Sequence, residues 1–329
     1  MITIFSAELE QLITKSFKTE IDTQEADMIG RLNTLLNDKT VVKLKWHEKY
    51  IQEIIKPANK IIINKFSELE KLMPVFDKIV SPIIISSKRH KKFRERLLKE
   101  MGYSDNRSKL YARFYRALGL KACVYCNAQL TVAVDAESYD KRKKTATAVV
   151  SAKFQVDHHL AKSEYPCFSV SYYNLYPVCA TCNNIKRANP VKFKLYNEGT
   201  TPNTSVYSFA LKAGSQAKYE LSLDINDIEI IFTDPDKPNA TYVLGSLTDT
   251  FDIKGIYDTQ KDVVEEVILR SRIYNDSYKQ TLLTEFPKLF NMSNLSDRVL
   301  LGTYADSEDI HKRPLTKFIQ DIAKGLNKV

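Results

Sequence analysis

Two C-x-x-C pairs, Cys123 with Cys126 and Cys179 with Cys182, hold four of the five cysteines of this 329-residue chain. Two residues between cysteines let the backbone turn as a knuckle, so each pair can present both sulfurs to one tetrahedral ion. The pattern predicts a structural Zn²⁺ in a Cys₄ site. A fully coordinated ion of that kind leaves no position for substrate, so any chemistry must come from other side chains. The 52 residues between the pairs exceed the usual ribbon spacing, and the inserted segment must leave the ion and return to it.

That segment contains F-Q-V-D-H-H-L-A-K-S-E-Y-P. Asp157 is a hard carboxylate suited to Mg²⁺ or Mn²⁺. His158 can be neutral near pH 7, as a base that activates water must be. Downstream, N-L-Y-P-V-C-A-T-C-N-N-I-K supplies Asn174, Asn183 and Lys186. The amide oxygen of Asn183, on a helix starting beside the second cysteine pair, would complete a metal site with Asp157. His159 is the alternative base, or a supporting group or ligand. Together these residues suit hydrolysis of a phosphodiester.

The string C-x-x-C, V-D-H, N-L, C-x-x-C-N-x-x-K resembles the zinc-bound HNH endonucleases of the ββα-metal type. The resemblance implies that Asp157 and Asn183 bind the catalytic ion and that His158 activates water. It further implies that Asn174 pins the loop of the ββα fold and that Lys186 contacts the phosphate. The nine-residue step from Asn174 to Asn183 agrees with the family's spacing. More narrowly, the chain resembles bacterial HNH nucleases encoded beside ATPase partners in antiphage systems of the Septu and retron-associated type. Residues 311–323 (H-K-R-P-L-T-K-F-I-Q-D-I-A) and 165–177 carry that likeness. The chain departs from the family in the long, lysine-rich stretch between Cys126 and Asp157, and in Ala161, where many members have proline.

The elements that must position these residues divide the chain in three. Residues 1–118 read as helical, with apolar spacing of three to four and with Pro57, Pro74 and Pro82 separating helices. Residues 119–195 form the predicted nuclease module: QLTVAV and TAVVSAKFQV as strands of a long hairpin, then a helix ended by Pro190. Residues 196–329 are expected to be mixed and mostly helical. They carry short β-prone runs (YELSL, IEIIF, TYVLG) and then the helical stretches beginning DTQKDVVEEV and RPLTKFIQD. The expected class is α+β.

Charge is uneven. Residues 1–200 carry 34 Lys and Arg against 21 Asp and Glu, whereas 201–270 carry 6 against 12. A basic first half suits a polyanionic partner, DNA or else RNA. Candidate contacts are Lys88, Arg89, Lys91, Lys92 and Arg94, the run Lys141, Arg142, Lys143 and Lys144, and Lys162. Tyr165 and Tyr173 suit packing better than DNA contact. Cys167, His47, His90 and His311 have no ligand-type neighbours at useful spacing and read as structural. The start MITIFSAELEQLITKSF lacks the pattern of a signal peptide, and no apolar run approaches the ~18 residues of a membrane helix. A cytoplasmic location follows as the expectation. Two other classes share much of this pattern: a non-catalytic zinc module that binds nucleic acid, and a scaffold whose helical ends dock an ATPase.

Overall fold

The computed structural model describes residues 1, 3–140, 145–199, 205–274, 276–290, 298 and 301–326. The chain is α+β, with helices dominating and four two-stranded sheets among the described residues.

The first region is helical because its apolar residues recur at helical spacing. After a short strand β1 (Ile4–Phe5) and helix α1 (Ser6–Gln11), α2 (Lys18–Leu36) buries Ile21, Gln24, Met28, Leu32 and Leu35 along one stripe. Helix α3 (Lys45–Ile55) buries His47, Tyr50, Ile51 and Ile54, and α4 (Phe66–Ile79) buries Phe66, Leu69 and Phe76. Pro74 lies inside α4 rather than at a boundary. The anchors Leu69 and Phe76 flank it, and their burial outweighs the backbone bond that proline removes. Pro82 does open a helix, α5 (Pro82–Ser86), behind a Ser81 side chain that accepts from the Ile83 N–H. Helices α6 (Lys91–Glu100) and α7 (Tyr103–Ala117) follow.

Beyond the first cysteine pair a hairpin forms from β2 (Ala133–Asp140) and β3 (Thr145–Ala152), antiparallel with Ala133 opposite Ala152, but its strands are shifted from the expected runs: most of QLTVAV precedes β2, residues 135–140 extend it, and TAVVSAKFQV breaks after Ala152. The hairpin lies against α7, to which the Arg116–Asp135 ion pair ties it. Strand β4 (Gln155–His158) then pairs antiparallel with β5 (Leu175–Val178), and α8 (Ala180–Lys186) packs on β4. Helix α7 backs this pair through two buried tyrosines. Tyr103 donates to the Val156 carbonyl at 3.1 Å and Tyr115 to the Leu175 carbonyl at 2.7 Å. Both hydroxyls satisfy strand carbonyls that a two-stranded sheet leaves unpaired.

A short β6 (Tyr196–Asn197) pairs in parallel with β1. The last region contains the hairpin β7 (Ser208–Leu211) and β8 (Ile230–Thr233). Of the β-prone runs, IEIIF supplies β8, but YELSL falls mostly in a helix, Ser215–Ser222, and TYVLG forms no strand. Gly214, at φ 79°, starts that helix, and Tyr219 anchors it by burying its ring and donating to Glu265 at 2.6 Å. Tertiary packing overrode β propensity there. The helices Lys261–Ile273 and Thr316–Gly325 pack together, the latter also on β7. One apolar core runs through all three regions. No helix among the described residues is long and apolar enough to cross a membrane.

Candidate functional site

The two cysteine pairs converge. The four sulfurs lie within 4.8 Å of one another, and all four residues are buried. Sulfurs held at ~2.3 Å from a tetrahedral ion would stand about 3.8 Å apart, so the cluster is close to ligating geometry and is positioned to bind zinc. Backbone N–H groups point at the sulfurs, as thiolate ligands require. Cys179 N–H donates to Cys123 Sγ and Cys182 N–H to Cys179 Sγ, both at 3.4 Å. The neighbouring sulfurs, Cys123 first, raise the Cys126 and Cys182 thiols, and a bound cation would displace those protons.

The first knuckle turns at Asn127, whose φ of 54° is left-handed, a region asparagine tolerates better than most residues. Its side chain is spent on the far end of the chain. Asn127 Nδ2 donates to the Ile310 carbonyl at 2.9 Å, and the Lys317 N–H donates to Asn127 Oδ1 at 3.1 Å. Tyr257 donates to the Cys126 carbonyl at 2.8 Å. Residues 310–317 thereby strap the knuckle in place.

The second pair starts α8. Cys179 caps the helix, and from there Asn183 and Lys186, three residues apart, face β4. Side chains alternate along a strand, so Gln155 and Asp157 share one face, toward α8. Asn183 Nδ2 donates to Gln155 Oε1 at 2.5 Å. Lys186 Nζ lies 3.1 and 3.2 Å from the two carboxylate oxygens of Asp157 and donates to the His158 carbonyl at 2.9 Å. Tyr125, between the first two cysteines, donates to Asp157 Oδ2 at 2.7 Å.

Asp157 is 3% exposed and Lys186 0%. Burial raises the Asp157 carboxyl above its ordinary value, opposed by the Lys186 charge and the Tyr125 hydroxyl. Lys186 is therefore not a surface group awaiting a phosphate: its ammonium is enclosed and consumed by Asp157 and a carbonyl.

His158 points the other way, toward α7. Its Nε2 is 3.0 Å from the Ser169 carbonyl. A carbonyl only accepts, so Nε2 carries the proton and Nδ1 keeps the lone pair a base needs. Its ring lies 4.6 Å from that of Tyr103. Burial, and then the charge of Lys162, lower its pKa to about 3. The imidazole is neutral at physiological pH. Lys162 is exposed and sits over the Tyr103 ring at 4.8 Å, bringing a cation beside His158.

His159 is buried between aromatic rings, stacked on Tyr176 at 5.2 Å with Phe66 at 4.9 Å. Burial lowers its pKa to about 3 as well, and its Nδ1 has no hydrogen-bond partner among the described residues. Asn174 is fully buried and closes the loop between β4 and β5. Its Oδ1 accepts from the Leu160 N–H at 2.6 Å, and its Nδ2 donates to the carbonyls of Phe168 at 3.0 Å and Leu160 at 3.2 Å.

The structure thus gathers Asp157, His158, Asn174, Cys179, Cys182, Asn183 and Lys186 on the β4–β5–α8 unit, and Cys123 and Cys126 of the first knuckle converge on its cysteine pair. No hydrogen bond among the described residues joins Asn183 to Asp157; Asn183 is tied to Gln155, and Asp157 to Lys186. The basic run is divided in its roles. Lys88, Arg89, Lys91 and Lys92 are exposed, whereas Arg94 is half-buried and donates to the carbonyls of Ile85 at 2.5 Å and Ser87 at 3.2 Å. Arg94 holds α5 to α6 and is not free for a ligand. Lys141, Arg142, Lys143 and Lys144 lie outside the described residues. The sequence reading passed over Tyr125, Tyr103 and Gln155. Two of these carried a signal: Tyr125 sits inside a knuckle, and Gln155 sits two residues before Asp157, hence on its face.

No family model, curated protein or solved structure matches the chain.

Proposed function

We propose that this chain is a metal-dependent endonuclease of the HNH type that hydrolyses DNA phosphodiester bonds. One observation carries the reading. An antiparallel strand pair followed by a helix brings Asp157, His158, Asn174 and Asn183 onto one unit, and a Cys₄ cluster clips the start of that helix.

The donor set suits a hard divalent ion, Mg²⁺ or Mn²⁺. Asn183 donates through Nδ2 to Gln155, and its Oδ1 has no hydrogen bond among the described residues. Lys186 meets both oxygens of Asp157 and Tyr125 donates to Oδ2, so of the roughly four lone-pair sites of a carboxylate at most one is left for a ligand bond. An ion held by Asp157 and Asn183 would supply charge stabilisation at the phosphate and the departing 3′ oxygen. The chain's own groups do the rest. His158, neutral and fixed in tautomer by Ser169, accepts the proton of the attacking water at Nδ1. Lys162 offsets phosphate charge beside it. Lys186 and Tyr125 hold Asp157 in place, so Lys186 acts as a positioning residue. Asn174 keeps the loop carrying Lys162 and Ser169 in register.

The likeness of residues 165–177 and 311–323 to antiphage HNH nucleases favours a defence effector working in the cytoplasm with an ATPase partner. Purified protein would be incubated with supercoiled plasmid, linear DNA and RNA, with Mg²⁺ or Mn²⁺, beside His158→Ala. The expected result is DNA cutting that His158→Ala reduces by about 10²–10⁴-fold, the usual worth of a positioned base, with zinc content unchanged. Binding without cutting under every metal would leave a zinc-stabilised binding module. RNA cutting alone would redirect the substrate. Cutting that survives His158→Ala but not His159→Ala would transfer the base role.

A further inference from the structure

Beside the candidate site, α7, β3 and β4 enclose a cleft of about 490 Å³, lined among others by Arg107, Val150, Phe154, Gln155 and Val156. That volume is in the range of small-ligand sites, far short of a double helix. Two contacts join it to the reactive groups. Gln155 reaches from the cleft to Asn183. The Val156 carbonyl is held by Tyr103, whose ring lies against His158 and which stands one helical turn before Arg107 on α7.

The lining combines valine and phenylalanine walls with the polar Ser138, Ser151 and Gln155 and one cation. Phe154 is set by edge-to-face contact with Tyr115, 5.7 Å between centroids at 89°. Arg107 is exposed and forms no ion pair among the described residues, and neither does Lys162. The neighbouring hairpin acid Asp135 is already neutralised by Arg116. A slot with an aromatic wall and an unpaired guanidinium at its side is complementary to one nucleobase and its phosphate. A base inside a duplex cannot enter such a slot without leaving the stack.

We infer that this cleft seats an unpaired nucleotide of the substrate, so that the enzyme acts on single-stranded or locally unpaired DNA rather than on intact duplex. The inference rests on the nuclease reading for its consequence, but the binding it asserts is measured without cutting. Arg107 would take the phosphate of the seated nucleotide, Phe154 and Val156 its base, and the next phosphate would lie toward His158.

The test is fluorescence anisotropy with a labelled 20-nucleotide single strand, its duplex, and the duplex carrying a two-nucleotide bulge. The protein is His158→Ala, alone or combined with Arg107→Ala or with Ala152→Trp, which fills the cleft. Arg107 is exposed, so its variant reports on the cleft even if the tryptophan variant misfolds. Single-stranded and bulged DNA should bind about tenfold more tightly than duplex, within what stacking one base contributes. Each substitution should erase that preference while leaving duplex binding as it was. Equal binding of all three, unchanged by Arg107→Ala, overturns the cleft assignment, and wild-type cutting of duplex would then still support a nuclease. A preference that Arg107→Ala abolishes, in a protein that cuts nothing under any metal, keeps the cleft and removes the nuclease.

Discussion

Lys186 and Asp157 form a completely enclosed ion pair, with the ammonium within 3.2 Å of both carboxylate oxygens. The pair connects α8 to β4 at the centre of the candidate site. Lys186 also serves the His158 carbonyl, and Asp157 also accepts from Tyr125 and the His158 backbone N–H.

Removing the lysine alone should therefore be severe. Lys186→Met leaves a buried carboxylate without its cation, a change that costs about 3–5 kcal/mol in comparable pairs. The double variant Lys186→Met, Asp157→Asn should recover most of that, because no buried charge is left unpaired. Urea unfolding of the four proteins of the cycle measures this. A double variant no more stable than Lys186→Met would show that the lysine acts through packing instead.

Acid should destabilise the fold through the two buried histidines. His158 and His159 have pKa values lowered to about 3, against about 6.5 in an unfolded chain. The unfolded state takes up the proton first. Their contribution is fully present above pH 6.5 and is lost as pH falls toward 3. His159→Phe, which keeps a ring against Tyr176 and Phe66, should reduce the fall in unfolding free energy between pH 7 and 4, read from urea titrations, by an amount on the order of a few kcal/mol. An unchanged slope would mean that His159 is not neutral in the folded protein.

Asn174 is a stability residue before it is anything else. Asn174→Ala strands the Leu160 N–H and removes the donor to two carbonyls. Stranded buried groups cost ~1–3 kcal/mol each, so a loss of about 2–4 kcal/mol is expected. Amide exchange should quicken first in residues 159–174. Loss of activity with full stability and unchanged exchange would point to direct contact with substrate instead.

Zinc should be stoichiometric and structural. Elemental analysis should find one zinc per chain, abolished by Cys182→Ser, and a strong chelator should unfold the region around β4. Retention of near-ultraviolet dichroism after complete removal would show that the sulfur cluster is dispensable for folding.

The Tyr257 contact on the first knuckle predicts a smaller effect at a distance. Tyr257→Phe deletes one buried hydrogen bond to the Cys126 carbonyl and should cost about 0.5–1.5 kcal/mol, with faster zinc release to a chelator. Unaltered release would separate the C-terminal region from the metal site.

How much of this was legible in the sequence follows from range. Knuckles are made by residues three apart, so the cysteines could be read directly, as could the order of Asp157, His158, Asn174 and Asn183. The partner of Lys186 could not be read, because 29 residues separate it from Asp157 and only the packing of α8 on β4 closes the distance. Arg94 looked like its neighbours in a basic run, yet its helix position turns it onto two carbonyls. Pro74 and the YELSL run show the same limit from the other side. Local preference named a break and a strand, and burial of Phe76 and Tyr219 decided otherwise. Residues 311–323 stood out in the sequence, but nothing local in them showed that residues 310–317 strap the first knuckle.

Among the described residues the arm formed by β2 and β3 pairs only with itself, and its base is fixed where the Lys153 N–H meets the Val132 carbonyl at 2.7 Å and Arg116 grips Asp135. The polypeptide consequently comes back to one point however far the arm reaches. Adding or deleting two cross-strand pairs would alter reach while preserving which residues look toward α7. The hairpin is thus an element whose length can change without moving the points where the chain leaves and rejoins the rest of the fold, the sulfur cluster and β4 included.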